Sequence, residues 1–217
     1  LKKKLLKKCM NEIRTLNKDS ILEGIAYLKK VDSDLGKILL ERQDKINPFD
    51  KASGFEGLVS LIVEQQLSVA SAKAIFNRVK LLIKEFTPEQ FMKLNDEPLK
   101  LTGLSRQKIS YCRNIALAVM DDSLSFKKLE NMNDAEVVKE LIKIKGIGDW
   151  TAQCYLMGCM KRLDAWPSSD LGLMVAIQRI KGLEERPKSL TIEEIAKPWQ
   201  PFRSIAALLL WSTYDKE

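Results

Sequence analysis

Histidine is absent from the 217 residues of this sequence. It is the most common general base near neutral pH and the most common side-chain metal ligand, so neither chemistry is available in its usual form. A reaction at neutral pH would have to use carboxylates, lysines, cysteines, hydroxyl groups or bound water. Long apolar runs are also missing, because no segment is apolar over the length that spans a bilayer.

Cysteine is scarce, and the four residues are Cys9, Cys112, Cys154 and Cys159. Their spacing fits neither a CxxC zinc-binding pair nor the cysteine pattern that binds an iron–sulfur cluster. We therefore expect no metal bound by side chains. The last two lie in an apolar helical run, which favours buried, reduced thiols. We therefore expect a cytoplasmic protein (of the bacterial nucleoid) or a nuclear one, and not a secreted one.

Basic residues exceed acidic ones by 36 to 29, which gives a net charge of +7 and a pI near 9.1. This balance favours a polyanionic partner, with nucleic acid as the first candidate and an anionic membrane as the second. A basic protein without any anionic partner is the alternative. The lysine-rich start, LKKKLLKK, is interpreted as a solvated basic helix face and not as a targeting signal.

Helical periodicity dominates the sequence, and strand-like alternation is nearly absent. It predicts an all-α fold with about nine or ten helices. In SGFEGLVSLIVEQQ, Ser53 and Glu56 predict a capping box at the start of a helix. In TPEQFMKL, Thr87 predicts another N-cap, followed by Pro88 at the first helical position.

The stretch LIKIKGIGDWTA places Gly146, Ile147 and Gly148 in a tight turn between two helices. Exposed amides of such a turn and of the next helix's first residues can bind a phosphate group without reading sequence. An ordinary glycine C-cap explains the same pattern, and the glycines alone do not decide between the two. The basic charge of the chain favours phosphate binding.

A lone acid, Asp170, follows in LDAWPSSDLGL at the start of another helix. From these residues alone it is an N-cap, because aspartate is a favoured residue at that position. A functional role is compatible with capping, because the positive end of a helix stabilises a carboxylate.

Together with the C-terminal segment KPWQPFRSIAALLLW, these motifs resemble the helix-hairpin-helix (HhH-GPD) superfamily of DNA glycosylases. The chain is most similar to its alkylation-repair branch, the 3-methyladenine DNA glycosylase II type, from about Phe49 to Tyr214. The resemblance implies a two-lobed, all-α fold with the active site in the cleft between the lobes. It also implies removal of alkylated bases from double-stranded DNA by a monomer, with Asp170 as the catalytic carboxylate.

The resemblance carries further roles onto residues of this sequence. They are a base pocket of Trp150, Tyr155 and Trp211, DNA-backbone binding at Lys145, Gly146, Ile147, Gly148 and Thr151, and a wedge at Gln66, with Leu67 adjacent. Trp166 and Trp199 are expected to be structural. Lys145 stands where many relatives have a proline before the turn, and Ser169 stands where a second acid often precedes the catalytic one. Neither departure removes an essential group.

One branch of the superfamily uses a lysine two residues after the turn as a Schiff-base nucleophile. Here Trp150 occupies that place, so the resemblance implies a monofunctional glycosylase without lyase activity. No cofactor is expected to be required, although the hairpin's backbone carbonyls are a candidate site for a monovalent cation.

Three segments are expected. They are an N-terminal helical segment (1–50) that contributes to one lobe, a helical lobe with the wedge turn (51–135), and a segment with the hairpin, the Asp170 loop and the last helix (136–217). Two alternatives stay open. One is a non-enzymatic helix-hairpin-helix DNA-binding protein, in which Asp170 is only a cap. The other is a glycosylase for a different base, such as uracil, hypoxanthine or oxidised guanine.

Overall fold

A computed structural model describes residues 13–214. This part of the chain is helical, and its β structure is limited to one isolated antiparallel bridge between Thr15 and Arg162. The predicted all-α class is therefore confirmed. No helix between residues 13 and 214 is long and apolar enough to cross a membrane. The lysine-rich start of the sequence lies outside the described residues.

Residues 13–214 form thirteen α-helices, α1 to α13, and one 3₁₀ helix, η1, between α12 and α13. The helices are α1 (Lys18–Val31), α2 (Ser33–Glu41), α3 (Gly54–Glu64), α4 (Val69–Leu81), α5 (Pro88–Met92), α6 (Asp96–Leu101), α7 (Arg106–Met120), α8 (Phe126–Glu130), α9 (Asp134–Leu141), α10 (Asp149–Gly158), α11 (Leu171–Lys181), α12 (Ser189–Ala196), η1 (Lys197–Trp199) and α13 (Arg203–Tyr214). The count exceeds the prediction in part because α6 and α8 have only six and five residues. Helical periodicity cannot be recognised over so short a length.

Of the N-caps predicted at Ser53 and Thr87, one forms as expected. The Thr87 hydroxyl accepts a hydrogen bond from the backbone N–H of Gln90 at 3.3 Å. Ser53 stands before α3 but makes no side-chain cap bond, and Glu56 pairs with Lys80 at 2.7 Å. The predicted capping box at Ser53 was therefore wrong, because the ion pair draws the glutamate away from the helix start.

The helices pack as two lobes. The first combines α1 and α2 with the C-terminal helices α11, α12, η1 and α13, while the second contains α3 to α7 together with α9 and α10. The hairpin helices join the second lobe because α10 packs against α3. The segment grouped as 136–217 in the sequence analysis is consequently shared between both lobes.

Each lobe is organised around a helix that is apolar on nearly all sides. In α3, Phe55 and every residue from Gly57 to Val63 are buried, and in α13 the buried run extends from Ser204 to Leu210. A helix that is apolar all round is stable only in the interior of a protein. Neither helix can offer a side face for binding, so functional groups have to lie at helix ends and in the connecting turns.

The loop between α10 and α11 crosses from one lobe to the other and is held by side chains of α13. Arg203 forms a forked ion pair with Asp164, with Nη2–Oδ2 at 2.7 Å and Nε–Oδ1 at 2.9 Å. The Ser204 hydroxyl accepts from the Ala165 N–H at 2.9 Å and donates to the Arg162 carbonyl at 2.7 Å. These bonds determine where the chain enters α11, and therefore where Asp170 lies.

Trp166 and Trp199 are buried and pack edge-to-face, with ring centroids 5.5 Å apart. Their predicted structural role is confirmed. Trp199 also donates its indole N–H to Asp32 at 2.9 Å. It therefore belongs to a polar cluster that joins η1 to the N-terminal helices.

That cluster is built around the ammonium group of Lys181, at the end of α11. Its Nζ lies 2.8 Å from Asp32 Oδ2 and 2.9 Å from Asp34 Oδ2. Asp32 also caps α2 by accepting from the backbone N–H of Asp34 at 3.0 Å. Burial alone would raise the pKa of Asp32, but hydrogen bonds from Lys181 and Trp199 outweigh it and hold the pKa below its ordinary value.

Asp32→Asn is expected to lower the free energy of unfolding at pH 7 by about 1–3 kcal/mol, because Lys181 and Trp199 lose a charged acceptor. A depressed folded-state pKa contributes stability above the unfolded pKa of about 3.9, and that contribution is lost as pH falls through the folded pKa. The difference between wild type and variant should therefore shrink below about pH 4. Urea unfolding from pH 7 to pH 3 measures it.

Asp44→Asn is the matched control, because Asp44 pairs with Lys29 at a more exposed position. We expect it to change the unfolding free energy by less than about 1 kcal/mol. If Asp32→Asn destabilised the protein equally at every pH, the carboxylate charge would not be the source of the stability.

Candidate active site

Asp170 stands at the N-terminus of α11 and accepts three N–H groups. Oδ1 accepts from the Leu173 backbone at 2.9 Å and from the Trp211 indole at 2.9 Å, while Oδ2 accepts from the Trp150 indole at 2.8 Å. The N-cap predicted from the sequence is present, and the side chain is half-buried. Three donors aimed at one carboxyl group suit its ionised form, which has acceptors only.

The two indoles come from different lobes, Trp150 from α10 and Trp211 from α13. All three donors to Asp170 are electrically neutral. Among residues 13–214, no lysine or arginine forms an ion pair with this carboxylate. The site therefore orients a negative charge without neutralising it.

An aromatic layer continues from Trp211. Its ring packs against Phe49 with centroids 5.2 Å apart at an interplanar angle of 55°. The Lys51 ammonium lies 4.8 Å from the Phe49 centroid and is paired with Glu64 at the end of α3. The Lys51 charge is thus compensated locally, and the half-buried Trp211 leaves part of its surface accessible.

Tyr155 does not join this group, contrary to the prediction that it lines the base pocket. It is 3% exposed, its hydroxyl accepts from the Gly54 N–H at 3.2 Å, and its ring packs against Phe126. It lines a separate cavity of about 330 Å³ whose lining includes neither Asp170 nor the two indoles. Five residues along α10 rotate Tyr155 about 140° away from Trp150, which accounts for the difference.

The hairpin turn, residues 142–148, connects α9 to α10. Gly146 has φ +110°, and a Cβ built on it would lie 2.3 Å from the Tyr111 ring, so only glycine fits. Gly148 is exposed and stands at the N-cap of α10 without a side-chain cap bond. The first amides of α10 consequently lack a side-chain acceptor and can bind an anion.

Of the other predicted DNA contacts, only Lys145 has an exposed side chain. Ile147 is 4% exposed, and its N–H donates to the Ile144 carbonyl at 3.0 Å. Thr151 is 1% exposed, and its hydroxyl accepts from the Gln65 amide at 2.9 Å. The side chains of Ile147 and Thr151 therefore face the protein, and any DNA contact at these positions has to use the backbone.

The turn between α3 and α4, residues 65–68, is called the wedge turn below. Gln66 is exposed with φ +56°, and Leu67 is 41% exposed. Both side chains are accessible at the tip of the turn. The wedge role itself stays a prediction.

Two residues central to the site, Gln65 and Lys108, are not predicted from the sequence. Gln65 does not point outward with Gln66 but reaches the hairpin, where its Nε2 donates to the Gly146 carbonyl at 3.0 Å. Lys108 of α7 donates to the carbonyl of Gln65 at 2.7 Å. One signal was available, since Lys108 lies four residues before the buried Cys112 and so on the same face of its helix.

The described cysteines are free, with Cys112 and Cys154 buried and Cys159 half-buried. Burial raises the pKa of Cys112 and of Cys159 to about 12, so both thiols are protonated at neutral pH and are poor nucleophiles. Within residues 13–214, no group of three or more acidic or cysteine side chains could hold a metal ion.

Comparisons with known proteins agree on one family. The model of the HhH-GPD superfamily of base excision DNA repair proteins matches residues 59–201. The chain is 32% identical over 171 residues to the alkylbase DNA glycosidase-like protein mag2 of Schizosaccharomyces pombe, with 76% of this chain and 80% of that protein covered.

Two solved structures are similar to this chain over most of its length. One is the S. pombe 3-methyladenine DNA glycosylase Mag1 in complex with abasic DNA, with a TM-score of 0.83, 27% identity, and coverage of 88% of this chain and 96% of that one. The other is a DNA-3-methyladenine glycosidase from Bacillus halodurans, with a TM-score of 0.75, 33% identity, and coverage of 94% and 93%. The predicted glycosylase fold is confirmed.

Gly146→Ala is expected to lower the free energy of unfolding by at least about 2 kcal/mol, because the new methyl group meets Tyr111 and the positive φ is strained. Gly148→Ala is the matched control, since a Cβ there meets nothing within 4 Å and φ is −99°. Urea unfolding of both variants measures the difference. Equal destabilisation by the two substitutions would contradict the assigned turn geometry.

Proposed function

Because the chain belongs to the HhH-GPD superfamily of base excision DNA repair proteins, we propose that it is a monofunctional DNA glycosylase for alkylated bases of the 3-methyladenine type. It would hydrolyse the N-glycosidic bond of a flipped nucleotide and so start base excision repair. The observation that carries the proposal is the uncompensated carboxylate of Asp170, held by indoles of both lobes. The substrate class is supported by relatives named for alkylated bases and for 3-methyladenine.

The absence of histidine is compatible with this reaction. A purine alkylated on a ring nitrogen carries positive charge and is a good leaving group, so it needs little acid catalysis. The transition state instead requires stabilisation of the positive charge that develops on the sugar. A preoriented carboxylate supplies it electrostatically and can also orient the attacking water.

The electrical neutrality of the donors to Asp170 matters for stabilising the sugar's positive charge. If a lysine or arginine were paired with Asp170, its charge would cancel much of the field at the sugar. The indole N–H groups of Trp150 and Trp211 fix the direction of the carboxylate without adding a positive charge. The same uncompensated charge favours a cationic base over a neutral base such as uracil or hypoxanthine, which supports the alkylated substrate class.

The aromatic layer supplies binding energy for the base. Stacking of a base on an aromatic side chain contributes about 1–3 kcal/mol, and a cationic base gains further from the π face. Trp211, supported behind by Phe49, is our candidate for this contact, and Trp150 is the second. Tyr155 is not proposed for it.

The nucleotide has to leave the duplex before it can reach Asp170. We assign the grip on the DNA backbone to the first amides of α10, with Lys145 adding charge. We assign the filling of the vacated space to the wedge turn, with Gln66 and Leu67 as the exposed candidates. Access to chromosomal DNA, in the cytoplasm of a bacterium or in a nucleus, is part of this proposal.

A monovalent cation could also bind the hairpin turn. Among the described residues, the carbonyls of Ile142, Lys143 and Ile147 have no hydrogen-bond donor, whereas those of Lys145 and Gly146 accept side-chain amides. The first three are therefore the candidates to hold the ion. It would strengthen the backbone grip by its charge and take no part in bond cleavage.

Asp170→Asn tests the catalytic role directly. The amide keeps an oxygen for the helix cap but loses the charge, so release of 3-methyladenine and 7-methylguanine from methylated duplex DNA should fall by at least about a hundredfold. Affinity for duplex DNA and the folded state should be retained. Chromatography of the released bases and an electrophoretic mobility shift measure the two properties.

Asp96→Asn is the matched control, since this exposed acid at the start of α6 pairs with Arg113 and belongs to neither the Asp170 loop nor the site. It is expected to change stability by less than about 1 kcal/mol and to leave base release unchanged. DNA binding without base release from the wild type would instead support a non-enzymatic hairpin protein. Release of uracil or hypoxanthine in preference to methylated bases would reassign the substrate.

The absence of lyase activity is a separate prediction. Trp150 cannot form a Schiff base, so the abasic product should remain uncleaved until alkali or heat is applied. Borohydride added during the reaction should trap no covalent protein–DNA complex. A trapped complex would contradict the prediction, and Lys51→Met would then test whether the ammonium over Phe49 is the nucleophile.

A further inference from the structure

The wedge turn and the hairpin turn are joined directly by one side chain. The Gln65 amide donates to the Gly146 carbonyl at 3.0 Å and to the Thr151 hydroxyl at 2.9 Å. Gln65 is the C-cap of α3, and the next residue, Gln66, has positive φ and is exposed. Two consecutive glutamines therefore point to opposite sides of the turn, one to the hairpin and one outward.

Lys108 binds the backbone at the start of the wedge turn. Its ammonium donates to the carbonyls of Val63 and Gln65, both at 2.7 Å. These carbonyls belong to the C-terminal end of α3, where a helix carries partial negative charge and lacks backbone donors. A single cation thus satisfies the helix end and fixes the backbone of Gln65.

The helix that carries Lys108 supports the hairpin as well. Tyr111 of α7 packs against Gly146, and the Asn114 amide donates to the Lys145 carbonyl at 3.0 Å. Lys108, Tyr111 and Asn114 follow one another at three-residue intervals on α7, which places them along one helix face. α7 is therefore a common support for both turns.

In the proposed function, the wedge turn and the first amides of α10 have to engage the same DNA duplex at the same time. A displacement of about 1 Å between groups that act together can reduce a rate by about a hundredfold. Gln65 links the two turns directly, and Lys108 binds the carbonyl of Gln65 itself. Neither residue donates to the candidate carboxylate, whose donors are Leu173, Trp150 and Trp211.

We propose that Gln65 and Lys108 are positioning residues that hold the wedge turn in register with the hairpin and thereby stabilise the flipped nucleotide. This inference rests on the proposed glycosylase activity. It assigns to Gln65 and Lys108 an effect on the flipping equilibrium and not on bond cleavage. The effect should therefore depend on how tightly the target base is held in the duplex.

The experiment compares two duplexes that carry one 7-methylguanine, placed opposite cytosine or opposite an abasic site. Unstacking is easier when the base is unpaired, so the second duplex requires less help from the protein. For Gln65→Leu and Lys108→Met, the single-turnover rate of base release should fall about tenfold or more on the paired duplex. On the unpaired duplex the fall should be less than about threefold.

Matched variants separate positioning from a general loss of structure. Thr151→Val removes the hydroxyl that accepts from Gln65 and should change the ratio of the two rates in the same direction as Gln65→Leu. Gln90→Leu and Lys100→Met make the same chemical changes at other sites, with Gln90 exposed and Lys100 paired with Glu97. Both should leave the ratio of the two rates unchanged. Should Gln65→Leu fail to fold, Lys108→Met and Thr151→Val provide the same test.

Fluorescence of a 2-aminopurine beside the lesion provides a readout that needs no bond cleavage. Gln65→Leu and Lys108→Met should reduce the signal of the flipped state at saturating protein. Equal losses of rate on both duplexes, or wild-type rates and fluorescence, would overturn the inference. If the wild type flips the nucleotide but releases no base, the proposed function fails while the fluorescence comparison still decides the positioning role.

Discussion

The position of the Asp170 carboxylate depends on donors from both lobes at once. Its cap bond to Leu173 and the Trp211 indole belong to the lobe of terminal helices, whereas the Trp150 indole belongs to the lobe that carries the hairpin. Trp150 is also the second residue of α10, whose first amides form the candidate phosphate site. The first turn of α10 therefore links the candidate DNA-backbone site to the orientation of the carboxylate. A shift of either lobe would change the geometry of the candidate site and of the carboxylate together.

The candidate functional groups lie at helix ends because the sides of the central helices are occupied by the core. α3 and α13 are buried on nearly all faces, so α3 contributes through its C-terminal cap, Gln65. Asp170 is an N-cap, and Gly148 is another. Helix ends carry the backbone N–H and C=O groups that no helical bond satisfies, together with partial charges of opposite sign. An all-α protein without histidine thus obtains both a candidate anion site and an oriented carboxylate from its helix ends.

The sequence allowed prediction of those parts of the site that depend on local pattern. The glycine turn, the cap at Asp170 and the missing lysine at position 150 all follow from residues close together in the chain. The Trp150 and Trp211 bonds to Asp170 join positions 20 and 41 residues away from it, so spacing alone cannot reveal them. Tyr155 was misplaced because motif resemblance does not specify which side of α10 faces the pocket. Gln65 was not predicted because it has the same side chain as its neighbour Gln66. The sequence does not show that Gln65 points to the hairpin while Gln66 points to solvent.

The residue at position 150 determines what an aspartate at position 170 can do. A tryptophan there donates a neutral N–H to Oδ2, so in the proposed reaction the carboxylate keeps its charge for a cationic sugar and for water. A lysine at that place would bring an amine to the same oxygen, and the two groups would form either an ion pair or an activated nucleophile. In both cases much of the field of the carboxylate at the sugar would be lost or redirected. The hydrolytic chemistry proposed for this protein follows from a neutral donor at one position as much as from the acid it orients.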